Sequence, residues 1–339
     1  MEHLESKAIA WLRFPLIVGI LFCHNNYLGL PEAEQISNWN IEVLHIIGFL
    51  EFFCGAKGLL AFCIPMFFTI SGFLFFYNSD FSVTIYRNKL KRRVRSLLIP
   101  YLLWNIWVFI LLLIIKKVSF GDLLYALWDY RNGMPVASQF WFIRDLMKLC
   151  IISPLIYFGI KFTRGWGIIP IGIYWVVTGG EWGLFFFSLG ALLSIRHIDV
   201  CQYVNRLRHT SFIFYPFLVI ANTYFREQAD ILKYVHPLFI LCSISVVFSL
   251  ALSMVRRETG IFLTKWGEKA FFLFAMHEPT MAFMRKAVLS HVDLFATSIP
   301  VSIAFYFIGP FVTIIISLVL FRILSRFLPS VLNILIGGR

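Results

Sequence analysis

The feature that most constrains this chain is the recurrence of apolar runs about as long as a bilayer is thick. They fall at residues 8–29, 56–77, 96–115, 139–160, 166–178, 182–195, 211–224, 235–255, 270–289 and 299–324. A membrane helix needs ~20 predominantly apolar residues. Helices satisfy their own backbone groups, which hydrocarbon cannot do for them. Ten such runs leave only short connections, with no room for a separate soluble catalytic domain of ~100 residues. Composition agrees, with 59% hydrophobic and 14% charged residues against the roughly 25% charged of soluble chains. The fold class expected is all-α: a polytopic membrane helical bundle of ten transmembrane helices, forming a single domain over 1–339. A soluble fold is excluded.

Charge gives the orientation. Of the 30 Lys and Arg, nineteen fall in the alternate segments that include both termini, and eight in the others. By the positive-inside rule both termini are expected to be cytoplasmic. Because these bases lie in loops beside a membrane, the net charge of +12 does not point to nucleic acid. Lys7 followed by Phe14–Cys23 has the outline of a signal peptide. No small-x-small cleavage site follows, and Arg13 and His24 interrupt the apolar region, so 8–29 is read as a retained span. The short fifth and sixth runs are separated by Thr178-Gly-Gly-Glu181 and are expected to form a tight hairpin. An amphipathic segment is expected around Ile41–Phe53. Six scattered cysteines without C-x-x-C spacing predict no metal site. There is no internal repeat of the kind many transporters show.

The informative residues are those that lipid penalises. A charge at the bilayer centre costs at least ~2.5–3.5 kcal/mol. The candidates are Arg13 and His24 in the first span, Arg144 and Asp145 in the fourth, and His277 and Glu278 in the ninth. Arg13 and His24 are separated by eleven positions, which puts them on one helix stripe about 16 Å apart along the axis. They either line one channel or reach to opposite interfaces. Arginine suits phosphate or carboxylate, and histidine carries protons near neutrality. In the basic run Arg87–Arg95, Arg92 and Arg95 share a face if the helix has begun there. They would then grip a phosphorylated ligand or anchor the chain to anionic lipid. His277-Glu278-Pro279 reads as a base beside a carboxylate or as a buried histidine satisfied by another helix. Arg144 and Asp145 read as halves of separate interhelical ion pairs.

These residues stand in a framework that resembles the acyltransferase-3 family of integral-membrane acyltransferases. Arg13 and His24 resemble its R-x10-H signature, and Phe67-Phe-Thr-Ile-Ser-Gly-Phe-Leu74 its second span. Arg92-Arg-Val-Arg95 with Leu98-Ile-Pro-Tyr101 and Trp104 resembles its R-x-x-R segment and third span. Gln139-Phe-Trp-Phe-Ile143 with Pro154 and Ala270–His277 with Pro279 resemble two later elements. The usual tyrosines of the last element are phenylalanine here, so Phe272 and Phe274 offer no hydroxyl.

The resemblance implies a stand-alone member, without a soluble C-terminal domain, in a bacterial inner membrane. It implies an O-acyltransferase that takes an acyl group other than aminoacyl, acetyl first among candidates, from cytosolic acyl-CoA. The acceptor implied is a hydroxyl of a surface saccharide or glycolipid. His24 would be the general base, and Arg13 would hold the donor or stabilise developing charge. Arg92, Arg95 and Arg93 would bind the CoA phosphates, while His277, Glu278, Arg144 and Asp145 would support. The competing expectation is a transporter or flippase of lipid-linked saccharide or acyl groups.

Overall fold

The computed structural model describes residues 2–25, 40–77, 81–130, 132–289 and 291–338. Each apolar run is built around a helix, and no strand occurs among the described residues. In chain order the helices are α1 (Glu2–His24), α2 (Ile41–Phe53), α3 (Cys63–Phe76), α4 (Val83–Arg93) and α5 (Ile99–Ile114). They continue with α6 (Leu123–Trp128), α7 (Trp141–Phe162), α8 (Ile168–Thr178), α9 (Trp182–Ile195), α10 (Val200–Tyr224) and α11 (Ala229–Arg256). The rest are α12 (Phe262–Gly267), α13 (Ala270–Leu289), α14 (Val292–Thr297), α15 (Ile299–Phe327) and α16 (Pro329–Leu335). Large apolar side chains such as Phe162, Leu155, Phe283 and Ile114 stand exposed on them. So much exposed apolar surface needs lipid as its partner, and the chain is a polytopic membrane helical bundle.

By length and apolar composition alone, four helical stretches among the described residues suffice to cross a membrane: Leu4–His24, Val83–Ile114, Ala229–Arg256 and Ile299–Phe327. The apolar helices α3, α8 and α9 are shorter, while α7 carries Arg144, Asp145, Lys148 and Lys161. Several boundaries differ from the expected ones: the third and seventh runs, expected from 96 and 211, lie in helices that start at Val83 and Val200. The second span begins only at Cys63, because turns occupy the chain from Cys54 onward. The first ends at His24, and the expected remainder to 29 lies outside the described residues beyond Asn25.

The segments Met1–Phe67, Val176–Gly179 and Asp199–Val319 form one compact unit. Here α1 packs against α11, α12 and α13, and α10 pairs along α11. A cluster of Val43, Ile47 and Tyr306, with Phe22 and Leu50 against it, joins α1, α2 and α15. Asn40 caps α2 by accepting the Glu42 N–H, and Asp199 caps α10 by accepting that of Gln202, as short polar side chains do at helix starts.

The segments Phe68–Trp175, Gly180–Ile198 and Leu320–Arg339 form the other unit. Gly72 of α3 and Gly190 of α9 bring two backbones together. A methyl group on Gly72 would overlap the Phe187 carbonyl oxygen, and one on Gly190 that of Thr69. Small residues let membrane helices approach in this way. Gly179 and Glu181 take left-handed φ of 71° and 53° in the turn between α8 and α9, which form the expected hairpin. Trp175 stacks on Phe185 across it, ring centroids 5.0 Å apart.

Prolines interrupt the long helices at Pro15, Pro154, Pro216, Pro237, Pro279 and Pro310. Each lacks the N–H that would bond the carbonyl four residues back. Polar side chains reach the carbonyls opposite Pro154 and Pro310. Ser153 Oγ donates to the Cys150 oxygen at 2.8 Å, opposite Pro154. Asn25 Nδ2 donates to the Tyr306 oxygen at 2.6 Å, opposite Pro310.

Candidate functional site

The last turn of α1 carries His24, and α13 carries His277 and Glu278 against it. His277 is fully buried. Its Nδ1 lies 2.6 Å from the Phe274 carbonyl oxygen, and its Nε2 lies 3.2 Å from His24 Nδ1. The two rings have centroids 4.8 Å apart and an interplanar angle of 43°. A carbonyl only accepts, so His277 carries its proton on Nδ1 and presents a lone pair at Nε2. His24 Nδ1 faces that lone pair and also the Ile20 carbonyl oxygen at 3.0 Å. With acceptors on both sides, His24 Nδ1 must be the protonated nitrogen. The geometry therefore leaves the lone pair of neutral His24 on Nε2, where a proton-accepting base needs it.

Glu278, the next residue on α13, makes its ion pair along its own helix. One carboxylate oxygen pairs with the Arg285 guanidinium two turns on. The other, Oε2, is buried with no hydrogen-bond partner among the described residues. Arg285 is not among the candidates the sequence singles out; its i, i+7 spacing from Glu278 on one helix is the available signal.

Arg13 shares α1 with His24, about 16 Å along the axis. Gly267 of α12 sits against its stem: a methyl group there would come within 3.3 Å of Arg13 Cβ. The Arg13 side chain is exposed, and it makes no hydrogen bond or ion pair among the described residues. A permanent cation exposed partway along a membrane helix suits an anionic ligand.

In the other unit, the basic run is helical and continuous with α5 through a π-turn at Val94–Leu98, closed by the Ile99 N–H on the Val94 oxygen. Such single wide turns recur at functional sites. Arg92 and Arg93 precede the turn and Arg95 lies within it. Arg93 is half-buried with its guanidinium 5.8 Å from the Phe75 ring centroid. Arg92 and Arg95 are exposed, without a hydrogen bond or ion pair among the described residues. Lys89 lies 5.2 Å from the same ring and donates to the Phe75 carbonyl oxygen.

Arg144 and Asp145 are not halves of separate interhelical pairs, as the sequence suggested. They pair with each other at 3.0 Å, and Lys148 joins them at 2.9 Å from Asp145. Arg144 Nη1 also donates to the Trp128 and Gly133 carbonyls, at 2.7 and 2.6 Å. The turn there runs through left-handed Asn132 and Gly133, which expose carbonyls that a buried guanidinium can collect. Asn105, which sequence reading passed over, is fully buried and accepts the Ala137 N–H at 3.0 Å. Also unforeseen is a polar chain in the first unit. The His236 ring meets Asn222 Oδ1 at 2.9 Å, and Asn222 Nδ2 donates to the Lys57 oxygen at 2.9 Å.

One group of metal-type side chains occurs among the described residues: Glu5, Asp199 and Cys201, with ligand atoms within 4.8 Å of one another. The Asp199 carboxylate is already engaged in capping α10.

Compared with known proteins, the chain matches the model of the acyltransferase-3 family, described as an acyltransferase domain, over residues 6–322. It is also similar to the succinoglycan biosynthesis protein ExoH of Rhizobium meliloti (strain 1021). The two are 26% identical over 373 aligned residues, which cover 100% of this chain and 94% of the relative. No solved structure matches.

Proposed function

The chain belongs to the acyltransferase-3 family, and on that premise we propose that it is a membrane O-acyltransferase acting on a saccharide hydroxyl. A polysaccharide or its lipid-linked precursor is the acceptor class, supported by the likeness to a succinoglycan biosynthesis protein. The donor is acyl-CoA, with acetyl the first candidate group. The observation that carries the reading is the hydrogen-bonded chain Phe274 carbonyl, His277, His24, which points the His24 Nε2 lone pair away from its partners.

In the proposed reaction His24 Nε2 takes the proton of the acceptor hydroxyl as its oxygen attacks the thioester carbonyl. The C–O bond forms, the C–S bond breaks, and the imidazolium returns its proton to the departing thiolate. His277 steadies that imidazolium by accepting from Nδ1, the part played by the third member of a triad. Such general base work contributes about 10²–10⁴-fold. Arg13 binds an anionic part of the donor or the charge that develops on it. Arg92 and Arg95 take the CoA phosphates as charge-assisted hydrogen-bond donors, with Arg93 committed to its aromatic contact. The enzyme works in the bacterial inner membrane with these phosphate-binding arginines on the cytoplasmic side.

The test is transfer of ¹⁴C from acetyl-CoA and succinyl-CoA to saccharide in proteoliposomes supplied with polysaccharide precursor from the native host. His24→Ala is expected to abolish transfer, and Arg92→Ala to raise KM for the donor. Full activity of His24→Ala refutes the base assignment, and saccharide movement without thiol release points to a transporter instead.

A further inference from the structure

The residue that closes α1 has a partner no local rule supplies. His24 is the last helical residue of α1, and the Asn25 N–H bonds back only three residues, to the Phe22 oxygen at 3.2 Å. A terminal turn frays unless something holds it. Asn25 is nonetheless buried, and its Nδ2 donates to the Tyr306 carbonyl oxygen of α15. That carbonyl lies opposite Pro310, which has no N–H to give it. Gly309 makes the approach feasible, because a Cβ there would stand 3.0 Å from Asn25 Oδ1 and 3.4 Å from Nδ2. The carbonyl is itself well fixed. Tyr306 is fully buried in the cluster with Val43 and Ile47, and its hydroxyl donates to the Leu50 oxygen at 3.2 Å. Phe22, one turn back on α1, packs on the same ring, centroids 6.5 Å apart.

From this arrangement we infer that Asn25 is a positioning residue for His24, held by a carbonyl that Pro310 opens and Gly309 exposes. It touches no reacting atom. It fixes the end of α1, and so the place of the His24 ring between Ile20 and His277. The inference rests on His24 being the base. A displacement of about 1 Å at a reacting group costs on the order of 10²-fold in rate, so the lock bears on turnover more than on donor binding.

The experiment measures kcat and KM for ¹⁴C-acetyl-CoA, or for succinyl-CoA if that is the donor the wild type uses, in proteoliposomes. The variants are Asn25→Ala, the isosteric non-donor Asn25→Asp, Gly309→Ala, Pro310→Ala, the double Asn25→Ala/Pro310→Ala, and His24→Ala. Asn25→Ala and Asn25→Asp are expected to lower kcat about ten- to hundred-fold while KM for the donor stays within about two-fold. Gly309→Ala falls between them and wild type, since Asn25 must yield by a few tenths of an ångström. The double variant is no slower than Asn25→Ala alone, because both changes act on one contact. If Asn25→Ala aggregates, Gly309→Ala alone decides, and unchanged kcat overturns the inference. It is overturned equally if Asn25→Ala turns over within two-fold of wild type while His24→Ala is inactive. Should His24→Ala remain active, the base assignment fails and the positioning role falls with it.

Discussion

At the scale of single residues the structure turns on which nitrogen of a histidine holds its proton. The Phe274 carbonyl decides it for His277, and His277 with Ile20 decides it for His24. Replacing His277 by Phe removes the side-chain acceptor of His24 Nδ1, leaving only the Ile20 carbonyl, and is expected to lower kcat about 10²-fold or more, within the range for general base catalysis. His277→Gln, whose side-chain oxygen accepts as Nε2 did, is expected to recover part of that loss. Steady-state kinetics on both variants checks the pair, and equal defects would deny the acceptor role. Arg13, His24 and His277 are legible in the sequence because each stands out in a run that lipid would keep apolar. Their partners are not legible. The His24–His277 contact joins residues 253 apart, and that of Asn25 with Tyr306 joins residues 281 apart. Asn25 looks like an ordinary interfacial residue until the missing proline N–H across from it is seen. Arg144 misled for a different reason: it pairs with its own neighbour Asp145 rather than across helices, and its other partners are backbone carbonyls, which no residue-type pattern displays.

At the scale of elements, the turn between α6 and α7 depends on Arg144. Its guanidinium meets one carboxylate and two carbonyls while almost fully buried. Arg144→Met leaves both carbonyls without that donor, while Asp145 keeps Lys148, and the loss is expected to cost about 1–3 kcal/mol, the range for a buried polar group left unsatisfied. Thermal unfolding in detergent measures it, and an unchanged midpoint would show the turn stands without it. The contact of α3 with α9 is less forgiving. Gly190→Ala places a methyl into the Thr69 carbonyl oxygen, with no flexible side chain to move aside. The expected outcome is loss of folded protein, read as aggregation on size exclusion, whereas Gly159→Ala, with open space at its Cβ, is expected to behave as wild type. Gly72 of α3 is visible in sequence, but its approach to α9 is a tertiary fact.

At the scale of the whole molecule, the longest apolar stretches explain most of what the sequence discloses. The continuous helix from Val83 to Ile114 has 32 residues, a length of about 48 Å against a hydrocarbon core of ~30 Å. Its basic half must therefore stand clear of the lipid tails, and its two ends must face opposite compartments. Ser82 and Ser119 bracket it and are exposed. With the basic end cytoplasmic, a membrane-impermeant maleimide on intact cells is expected to label Ser119→Cys and to spare Ser82→Cys. The six native cysteines, all buried or half-buried, set the baseline, and the reverse pattern would invert the topology. The helix interruptions have a consequence for descent as well. A proline that opens a carbonyl and the side chain that reaches it act on one contact, as in Ser153 with Pro154 and Asn25 with Pro310. Lineages that lose Pro310 should drift at position 25 while keeping histidine at 24, so the two sites form one heritable unit inscribed at opposite ends of the gene.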